Sequence, residues 1–391
     1  MHRCMKKVTV KGAAAERLRA FHPWVYRTDI QQSASDPGDL VSVHDPGGTF
    51  LGIGYINPAS EISVRILSFS EVEINRDFFR DKLLAAFRKR EALRGKTDAC
   101  RLVHAEADEL PGIIVDDYAG HLAIQVNTLG MERLRNLLLP ELVELRQPKG
   151  IYEKSEAKSR SREGLGTEDR VLHGEIPGRV EIAENGARFL VNLRESQKTG
   201  FFLDQRRNRE ITASYVEAGF EVLDVFANTG AFGIHAALHG ARRVRLVDVS
   251  REALEQAREN LALNRVAAQA VRADAFDYLT EAPGARDRFD LIILDPPPFA
   301  KAKRMTAGAL RGLRHLIHQS LRILRPGGFL AVFSCSHHVS QVDLQRAILE
   351  AATDRGCRIE ILEHLFQDRD HPYVLNIPMS LYLKGFLLRS L

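Results

Sequence analysis

The sequence has little cysteine, a single tryptophan and no long apolar run. Four cysteines among 391 residues, with no paired spacing, exclude a disulfide framework and a cysteine-based zinc site. No run approaches the roughly 18 to 20 apolar residues of a membrane span, and the N-terminus lacks the apolar core of a signal peptide. We therefore expect a soluble protein of the reducing cytoplasm that needs no metal.

The chain also lacks a strong excess of charge of either sign. Lys and Arg number 55 against 51 Asp and Glu, a formal net charge of +4. Such a balance only weakly favours an acidic partner, because a local basic face matters more than the sum. A hydrophobic content of 45% is ordinary for a globular protein, and the length suggests two or three domains.

Residues 1–70 contain short alternating runs separated by turn signals. The runs KVTVKG, GDLVSVHDPGGTFLGIGYI and ISVRILSF predict a small β-barrel or compact sheet. Trp24 and Arg27 have two interpretations: a tryptophan that fills the barrel, or an aromatic and basic pair that stacks a base and binds phosphate. The order HPWVY, GDLVSVHD and FLGIGYINP resembles a PUA domain, a small RNA-binding pseudo-barrel. The resemblance implies RNA binding by the domain but does not decide the role of Trp24, and we name Trp24 and Arg27 as candidate RNA contacts.

Residues 71–190 predict a small α+β domain with no catalytic constellation. EINRDFFRDKLLAAFRKREALR has helical periodicity, whereas GIIVDDYAGHLAIQV and GRVEIAENG followed by RFLVNL predict hairpins. The acids Glu106, Asp108 and Glu109, with His104 beside them, are expected at the surface. The stretch 154–170 lacks periodicity and is expected to be an exposed loop. Exposed apolar faces in this region would allow two copies of the chain to form a homodimer, although no periodic apolar pattern indicates where the interface would lie.

Residues 191–391 alternate between strand and helix patterns, which predicts an α/β fold with a doubly wound, mostly parallel sheet. The stretch EVLDVFANTGAFG, residues 221–233, has the order strand, tight turn and helix N-terminus. Ligands of such sheets bind beyond the carboxyl ends of the strands. We therefore expect a cofactor at this turn.

The turn favours S-adenosylmethionine over a dinucleotide. Asn228 stands where the dinucleotide fingerprint has its first glycine, and no phosphate-binding lysine follows. Asp224 suits the ammonium group of S-adenosylmethionine, Asp248 the ribose hydroxyls, and Asp274 the adenine amine. The predicted cofactor-binding residues are Lys198, Thr199, Phe201, Gln205, Asp224, Phe226, Asn228, Thr229, Gly230, Asp248, Ser250, Asp274, Ala275, Asp295 and Pro296.

The segment QKTGFFLDQRRNR, residues 197–209, precedes this strand and has two compatible interpretations. It is a helix start capped by Asp204, or a lid over the cofactor with Arg206 turned toward RNA.

The sequence Asp295-Pro296-Pro297-Pro298-Phe299 follows the next apolar strand. It resembles the D/N-P-P-x catalytic loop of methyltransferases that act on planar nitrogenous bases. Prolines hold such a loop extended, and Phe299 offers a stacking face for an extruded base. The alternative is a proline stop after a strand.

Cys335 follows the apolar run GFLAVF, at the pocket end of another strand. A buried, inert cysteine is one interpretation. The other is a nucleophile, since carbon five of a pyrimidine accepts a methyl group only after a thiolate has added to carbon six. His337 and His338 are candidates to lower the pKa of Cys335 or to accept a proton, or they are surface residues.

The motifs QKTGFFLDQRRNR, LDVFANTGAFG, LVDVS, RADAF, ILDPPPFAK, FSCS and LYLKGF together resemble the bacterial 23S ribosomal RNA cytosine-C5 methyltransferases with an N-terminal PUA domain. The resemblance covers nearly the whole chain. It implies a PUA domain in residues 1–70, a central domain in 71–190 and a methyltransferase domain in 191–391, with Cys335 as nucleophile. Pro297 stands where other RNA cytosine methyltransferases carry a second cysteine, so the general base is left unassigned. Methylation of a guanine amine and a non-catalytic RNA-binding role are the alternatives.

Overall fold

The computed structural model describes residues 5–167, 169–194, 200–281, 288–300 and 302–391. The chain divides into two compact units, each built from three stretches. The first unit takes Met1–Ile182, Val191–Leu203 and Arg369–Ser380, and the second unit takes Ala183–Leu190, Asp204–Asp368 and Leu381–Leu391. The predicted division into three domains at residues 70 and 190 stays a prediction.

The first unit begins with a six-stranded mixed sheet. Alternating valines (Val8, Val10, Val41 and Val43, all 0% exposed) form its core, as the alternating runs predicted. The strands run in the order β2-β6-β5-β4-β1-β3. The elements are β1 (Lys6–Val10), α1 (Gly12–Arg19), β2 (Trp24–Tyr26), β3 (Ile30–Ser33), β4 (Leu40–His44), β5 (Phe50–Ile56) and β6 (Ile62–Ser68).

A second sheet of five strands follows in the same unit, in the order β11-β10-β9-β8-β7. The predicted hairpin is confirmed, with Ala119 and Gly120 at φ 51° and 89° in its two-residue turn. The elements are α2 (Arg76–Arg88), β7 (Ala99–His104), β8 (Ile113–Tyr118), β9 (His121–Val126), α3 (Leu129–Arg146), β10 (Gly150–Glu153), α4 (Ala157–Arg162) and β11 (Arg170–Gly174).

The exposed loop expected over residues 154–170 is wrong in part, because α4 lies within it. Arg160 is buried and donates to the carbonyl of Val126 at 2.6 Å and to Glu132 at 2.9 Å. Glu163, also buried, accepts from the side-chain amide of Asn57 at 2.8 Å. These long-range bonds fix a stretch that has no apolar periodicity of its own.

The surface position expected for Asp108 is also wrong. Arg90 donates to both of its carboxylate oxygens, at 2.8 and 2.6 Å, and both residues are buried. The same guanidinium donates to the carbonyl of Asp370 at 2.8 Å, and the amide of Arg101 donates to the Asp370 carboxylate at 2.9 Å. The segment 369–380 therefore belongs to the first unit through hydrogen bonds to residues 280 and 269 positions earlier.

The second predicted hairpin is confirmed as β12 (Val180–Glu184) and β13 (Ala187–Val191). Asn185 and Gly186 form its turn at φ 47° and 84°, the left-handed conformation that a tight hairpin requires. This hairpin leads into the segment 197–209.

The second unit is built on a seven-stranded sheet in the order β16-β15-β14-β17-β18-β20-β19. Of these seven strands, six run in the same direction and β20 runs antiparallel between β18 and β19, which confirms the α/β fold class and the closing strand pair. The elements are α5 (Arg206–Ser214), β14 (Glu221–Val225), α6 (Ala231–Leu238), β15 (Arg243–Asp248), α7 (Arg251–Asn264), β16 (Gln269–Arg272), α8 (Ala275–Glu281), β17 (Phe289–Leu294), α9 (Thr306–Ile323), β18 (Leu324–Ser334), α10 (Gln341–Arg355), β19 (Ile359–Phe366) and β20 (Lys384–Ser390).

Strand order reverses at β14, whose neighbours are β15 and β17. The loops that follow the parallel strands β14, β15, β16, β17 and β18 therefore meet at one edge of the sheet, where α/β folds bind ligands. Over the described ranges, no helix has the length and apolarity that crossing a membrane demands.

Candidate active site

The loop between β14 and α6 has an unusual backbone. Phe226, Asn228 and Gly230 have φ of 64°, 48° and 81°. Glycine and asparagine tolerate this region, whereas a phenylalanine there costs on the order of 1 to 3 kcal/mol. The loop is held by the amide of Ala227, which donates to the carbonyl of Val247 at 3.0 Å. Strain maintained by neighbouring contacts is a common property of ligand-binding loops.

Asp248, the last residue of β15, fixes this loop and the next one. Its Oδ2 accepts from the amide of Asn228 at 2.8 Å, and its Oδ1 accepts from the amide of Ser250 at 2.9 Å. Ser250 in turn caps α7 by accepting from the amide of Ala253 at 3.1 Å. Each carboxylate oxygen has a second lone pair, so the half-buried side chain can accept a further hydrogen bond from a hydroxyl group.

Asp224 is a buried acid at the end of β14, 1% exposed. Burial raises the pKa of its carboxyl to about 8, and the charges of Asp295 and Asp248 act in the same direction against the stabilising amide of Gly233. Three of the predicted strand-end acids thus lie close enough to interact. A buried acid surrounded by like charge favours a cationic ligand.

Asp274 and Ala275 lie after β16. The Asp274 side chain is exposed, and its Oδ1 accepts from the amides of Phe276 at 2.8 Å and Asp277 at 3.3 Å. It therefore caps α8. Ala275 is buried, and the contact of these two residues with adenine stays a prediction.

The predicted lid is only partly described. Lys198 and Thr199 lie outside the described residues. Phe201 belongs to the first unit, where its amide donates to the hydroxyl of Tyr118 at 3.2 Å, and Gln205 is a buried residue of the second unit. Their contacts with a cofactor stay predictions.

The helix start at residues 204–206 differs from the sequence interpretation. The Asp204 carboxylate accepts from the hydroxyl of Tyr382 at 2.7 Å and does not cap α5. Arg206 is 2% exposed, and its Nε donates to Asp368 at 2.8 Å. This placement argues against the RNA contact predicted for Arg206, because a buried guanidinium paired with a carboxylate cannot reach a phosphate.

The Asp295-Pro296-Pro297-Pro298-Phe299 loop lies beside the end of β18. Sγ of Cys335 donates to the carbonyl oxygen of Pro296 across 3.8 Å, and both Cys335 and Asp295 are half-buried. Phe299 is also half-buried, with ring centroids 6.4 Å from Phe226 and 5.9 Å from Phe276. The structure thus brings together the two loops that the sequence assigned to catalysis.

Lys384 was missed as a site residue. It is 5% exposed, and its Nζ donates to the carbonyl of Ser336 at 2.9 Å, next to Cys335. Only the motif LYLKGF drew attention to it, as part of the family resemblance. His337 and His338, the candidates named for Cys335, are exposed.

A buried charge network was missed as well. Arg209 donates to both oxygens of Glu184 at 2.7 Å, and His235 lies 3.2 Å from the same carboxylate. Although burial opposes ionisation, the charge of Arg209 and the hydrogen bonds lower the pKa of Glu184 to about 2. Arg209 also lowers the pKa of Asp224, so the network contributes to the electrostatics of the cofactor loop.

Of the predicted RNA-binding residues in the first unit, Trp24 is half-buried and Arg27 exposed. The indole N–H of Trp24 donates to Glu106 at 3.0 Å, and the guanidinium of Arg65 lies 5.7 Å from its ring centroid. These contacts occupy the polar edge and one face of the ring. The ring of His22 also contacts Trp24 edge-on, with centroids 5.5 Å apart. Base stacking by Trp24 stays a prediction.

Two family models match this chain. A PUA-like domain matches residues 8–69, and an S-adenosylmethionine-dependent methyltransferase matches residues 160–380. The second match covers more than half of the chain.

Curated relatives match over nearly the whole length. "Ribosomal RNA large subunit methyltransferase I" of Aeromonas salmonicida is 39% identical over 390 residues, covering 97% of this chain and 98% of the relative. The protein of the same name from Shewanella amazonensis is 39% identical, covering 98% and 99%.

Solved structures agree on the fold. SMU.776, described as a methyltransferase complexed with SAH, superposes with a TM-score of 0.87 at 24% identity, covering 98% of this chain and all of that one. An S-adenosylmethionine-dependent methyltransferase from Streptococcus mutans gives 0.85 at 24% identity, with the same coverage. The chain therefore belongs to the S-adenosylmethionine-dependent methyltransferase family, with a PUA-like domain near its N-terminus.

Proposed function

We propose that this protein methylates carbon five of a cytosine in the ribosomal RNA of the large subunit. Its relatives carry the name of large-subunit ribosomal RNA methyltransferases, and a PUA-like domain is an RNA-binding module. The notion of a homodimer has no support in the described residues or the relatives, so RNA is the partner proposed.

The residues around β14 fit S-adenosylmethionine. The buried Asp224 carboxyl, with its pKa raised by burial, is suited to the ammonium group, and Asp248 retains lone pairs for the ribose hydroxyls. The strained loop at Phe226, Asn228 and Gly230 presents backbone groups beside them. When bound, S-adenosylmethionine supplies an electrophilic methyl group.

Cys335 is proposed to make the cytosine reactive. Its thiolate forms a bond from Sγ to carbon six, and the electron pair of the ring double bond moves toward the ring nitrogen and carbon five. The ring nitrogen takes up a proton as its electron density rises, and its N–H donates to the Asp295 carboxylate, which stabilises this adduct. After carbon five has taken the methyl group, a base removes its proton, the Sγ–carbon bond breaks, and Cys335 leaves as thiolate.

The observation that carries the proposal is the proximity of Cys335 and the proline loop. Sγ of Cys335 lies 3.8 Å from the carbonyl oxygen of Pro296, and Asp295 opens the same loop. Methylation of an exocyclic amine needs no thiol. A cysteine at this position therefore favours cytosine carbon five over a guanine amine.

Methyl transfer to ribosomal RNA, followed by nucleoside analysis, tests the proposal. We expect 5-methylcytosine from the wild-type protein and a loss of at least about a hundredfold in rate for Cys335→Ala. Cys357→Ala is the matched control, because Cys357 is a half-buried cysteine that donates to the carbonyl of Ala352, outside the proline loop. Full activity of Cys335→Ala, or methylguanine as the product, contradicts the proposal. Binding of the RNA without any methyl transfer would instead support the non-catalytic role.

A further inference from the structure

Lys384 begins β20 at the edge of the sheet where the catalytic loops meet. It lies opposite Ser334 in the antiparallel pairing with β18, and Cys335 is the next residue after Ser334. The Lys384 ammonium turns back toward this loop and donates to the carbonyl of Ser336 at 2.9 Å. The backbone on both sides of Cys335 is thus in contact with a single lysine.

The ammonium group of Lys384 is buried with little compensation. The residue is 5% exposed, and only one of its three N–H donors has a partner among the described residues, where no carboxylate forms an ion pair with it. Burial lowers its pKa, and the ionised form of Cys335 would raise it. A buried cation without a carboxylate is costly, so a neighbouring thiolate is its natural counter-ion.

Other titratable groups lie on the elements that flank Lys384 and Cys335. His337 and His338 follow Cys335 and are exposed, and Asp295 lies on the proline loop after β17. On β19, Nδ1 of His364 lies 2.8 Å from the side-chain amide of Gln341.

The segment before β20 adds one more titratable group. Tyr382 donates its hydroxyl to Asp204 at 2.7 Å. Lys384 is a buried cation whose pKa responds to a charge on Cys335.

We propose that Lys384 is the positioning residue that holds Cys335 as a thiolate, ready to attack carbon six. The inference rests on the proposed function, because only a covalent mechanism needs this thiolate. The thiol proton resides on Nζ of Lys384, which gives an ammonium–thiolate pair. The ammonium stabilises the thiolate before the Sγ–carbon bond forms and again when that bond breaks.

The pH dependence of Cys335 alkylation by iodoacetamide, read by peptide mass spectrometry on the full chain without RNA, tests this proposal. Mass spectrometry separates Cys335 from the other cysteines. We expect half-maximal reactivity below the ordinary cysteine pKa of about 8.5 in the wild type. Lys384→Gln should shift the profile upward by about one pH unit and slow alkylation about tenfold at pH 7. Lys384→Arg should keep most of the wild-type profile.

Lys384→Gln is informative because its side-chain amide still has N–H donors for the Ser336 carbonyl but no charge. A merely structural lysine would leave the alkylation profile of this variant unchanged, and that result overturns the proposal. Lys149→Gln is the matched control, since Lys149 donates to the carbonyl of Ala119 at 3.0 Å in the first unit. If Lys384→Gln fails to fold, the alkylation profile of the wild type tests the proposal by itself. Alkylation of Cys335 that rises only above about pH 8.5 overturns the proposal.

This assay and the proposed function fail separately. An active Cys335→Ala variant overturns the covalent mechanism, whereas the alkylation profile of Cys335 is measured separately in the wild type and the Lys384 variants. In the covalent case, Lys384→Gln should also lower kcat about tenfold or more at pH 7 with little change in the KM for RNA, and Lys384→Arg should restore much of it.

Discussion

The backbone amide of Gly233 donates to the buried carboxylate of Asp224 across 2.9 Å. This bond joins the first turn of α6 to the end of β14, the two elements that flank the cofactor loop. The bond lowers the pKa of Asp224, but burial and the neighbouring negative charges raise it by more. Asp224, at the end of β14 beside the cofactor loop, is thus mostly protonated near neutral pH without ligand.

The affinity for S-adenosylmethionine should depend on the ionisation of Asp224. Since the pKa of Asp224 is about 8 without ligand, its carboxylate is the minor form at pH 6 to 7. We expect the ratio of wild-type affinity to that of Asp224→Asn to rise roughly tenfold per pH unit between pH 6 and 7.5 and to level off above about 8. Calorimetric titrations of both proteins measure this ratio, which cancels the titration of the cofactor's own amine. A ratio that does not change with pH contradicts the prediction.

Asp224→Asn should stabilise the protein without ligand at alkaline pH. The folded-state pKa is raised from 3.8 to about 8, so the contribution of Asp224 to stability is present below pH 3.8 and is lost as the pH rises through 8. An asparagine keeps an oxygen for the Gly233 amide without taking a charge. We expect a gain on the order of 1 to 3 kcal/mol at pH 8.5 and a smaller one at pH 6, measured by chemical unfolding. Equal stability of the two proteins at pH 8.5 would show that burial of the ionised Asp224 carboxylate does not destabilise the wild type.

Gly233→Ala should destabilise the second unit. A Cβ at this position would clash with the side chain of Leu246 and approach Cγ1 of Val244 to 3.0 Å. We expect a loss of about 1 to 3 kcal/mol and weaker cofactor binding, because α6 must move away from β15. Gly308→Ala is the control: it lies in α9, where a Cβ would meet only Arg311 at 3.8 Å, and should be neutral or slightly stabilising. A Gly233→Ala protein as stable as the wild type would disagree with the packing described.

Breaking the Glu184–Arg209 pair should be costly. Both side chains are 1 to 2% exposed, and truncation of either leaves the other charge buried without its main partner. We expect Arg209→Met to lose about 3 to 5 kcal/mol in chemical unfolding. Arg251→Met, at an exposed i,i+4 pair with Glu255, should cost less than about 0.5 kcal/mol. Similar losses of stability for Arg209→Met and Arg251→Met would contradict this prediction.

The stability that Glu184 contributes should also depend on pH. Because the pKa of Glu184 is depressed to about 2, this contribution is present above pH 4.5 and is lost as the pH falls toward 2.

Arg27→Glu should weaken RNA binding through the phosphate backbone. Arg27 is exposed, beside the half-buried Trp24 of the PUA-like domain. If it binds a phosphate, the slope of log affinity against log salt should fall by about 0.7 to 1. Fluorescence anisotropy with a ribosomal RNA fragment measures both quantities, and Arg251→Glu, another exposed arginine, is the control. An unchanged salt dependence of the affinity would show that Arg27 does not bind a phosphate of the RNA.

The strand-end acids were predictable because parallel strands bring their carboxyl ends to one edge whatever the helices between them do. Asp224, Asp248 and Asp295 therefore come together as expected. Lys384 was not predictable, since it comes from an antiparallel strand and nothing local in LYLKGF separates it from a surface lysine. Arg206 shows the reverse error: a basic motif suggested RNA, but its partner Asp368 lies 162 residues further along the chain. Side-chain pairing over such distances leaves no periodic signal.

The segment 369–380 has a consequence for synthesis of the protein. Its bonds with Arg90 and Arg101 complete the first unit, yet about 270 residues separate it from these partners. Because a ribosome adds about 5 to 20 residues per second, Asp370 is synthesised many seconds after Arg90. The first unit, although its sheets are encoded first, can reach its final form only after residue 380 has been translated.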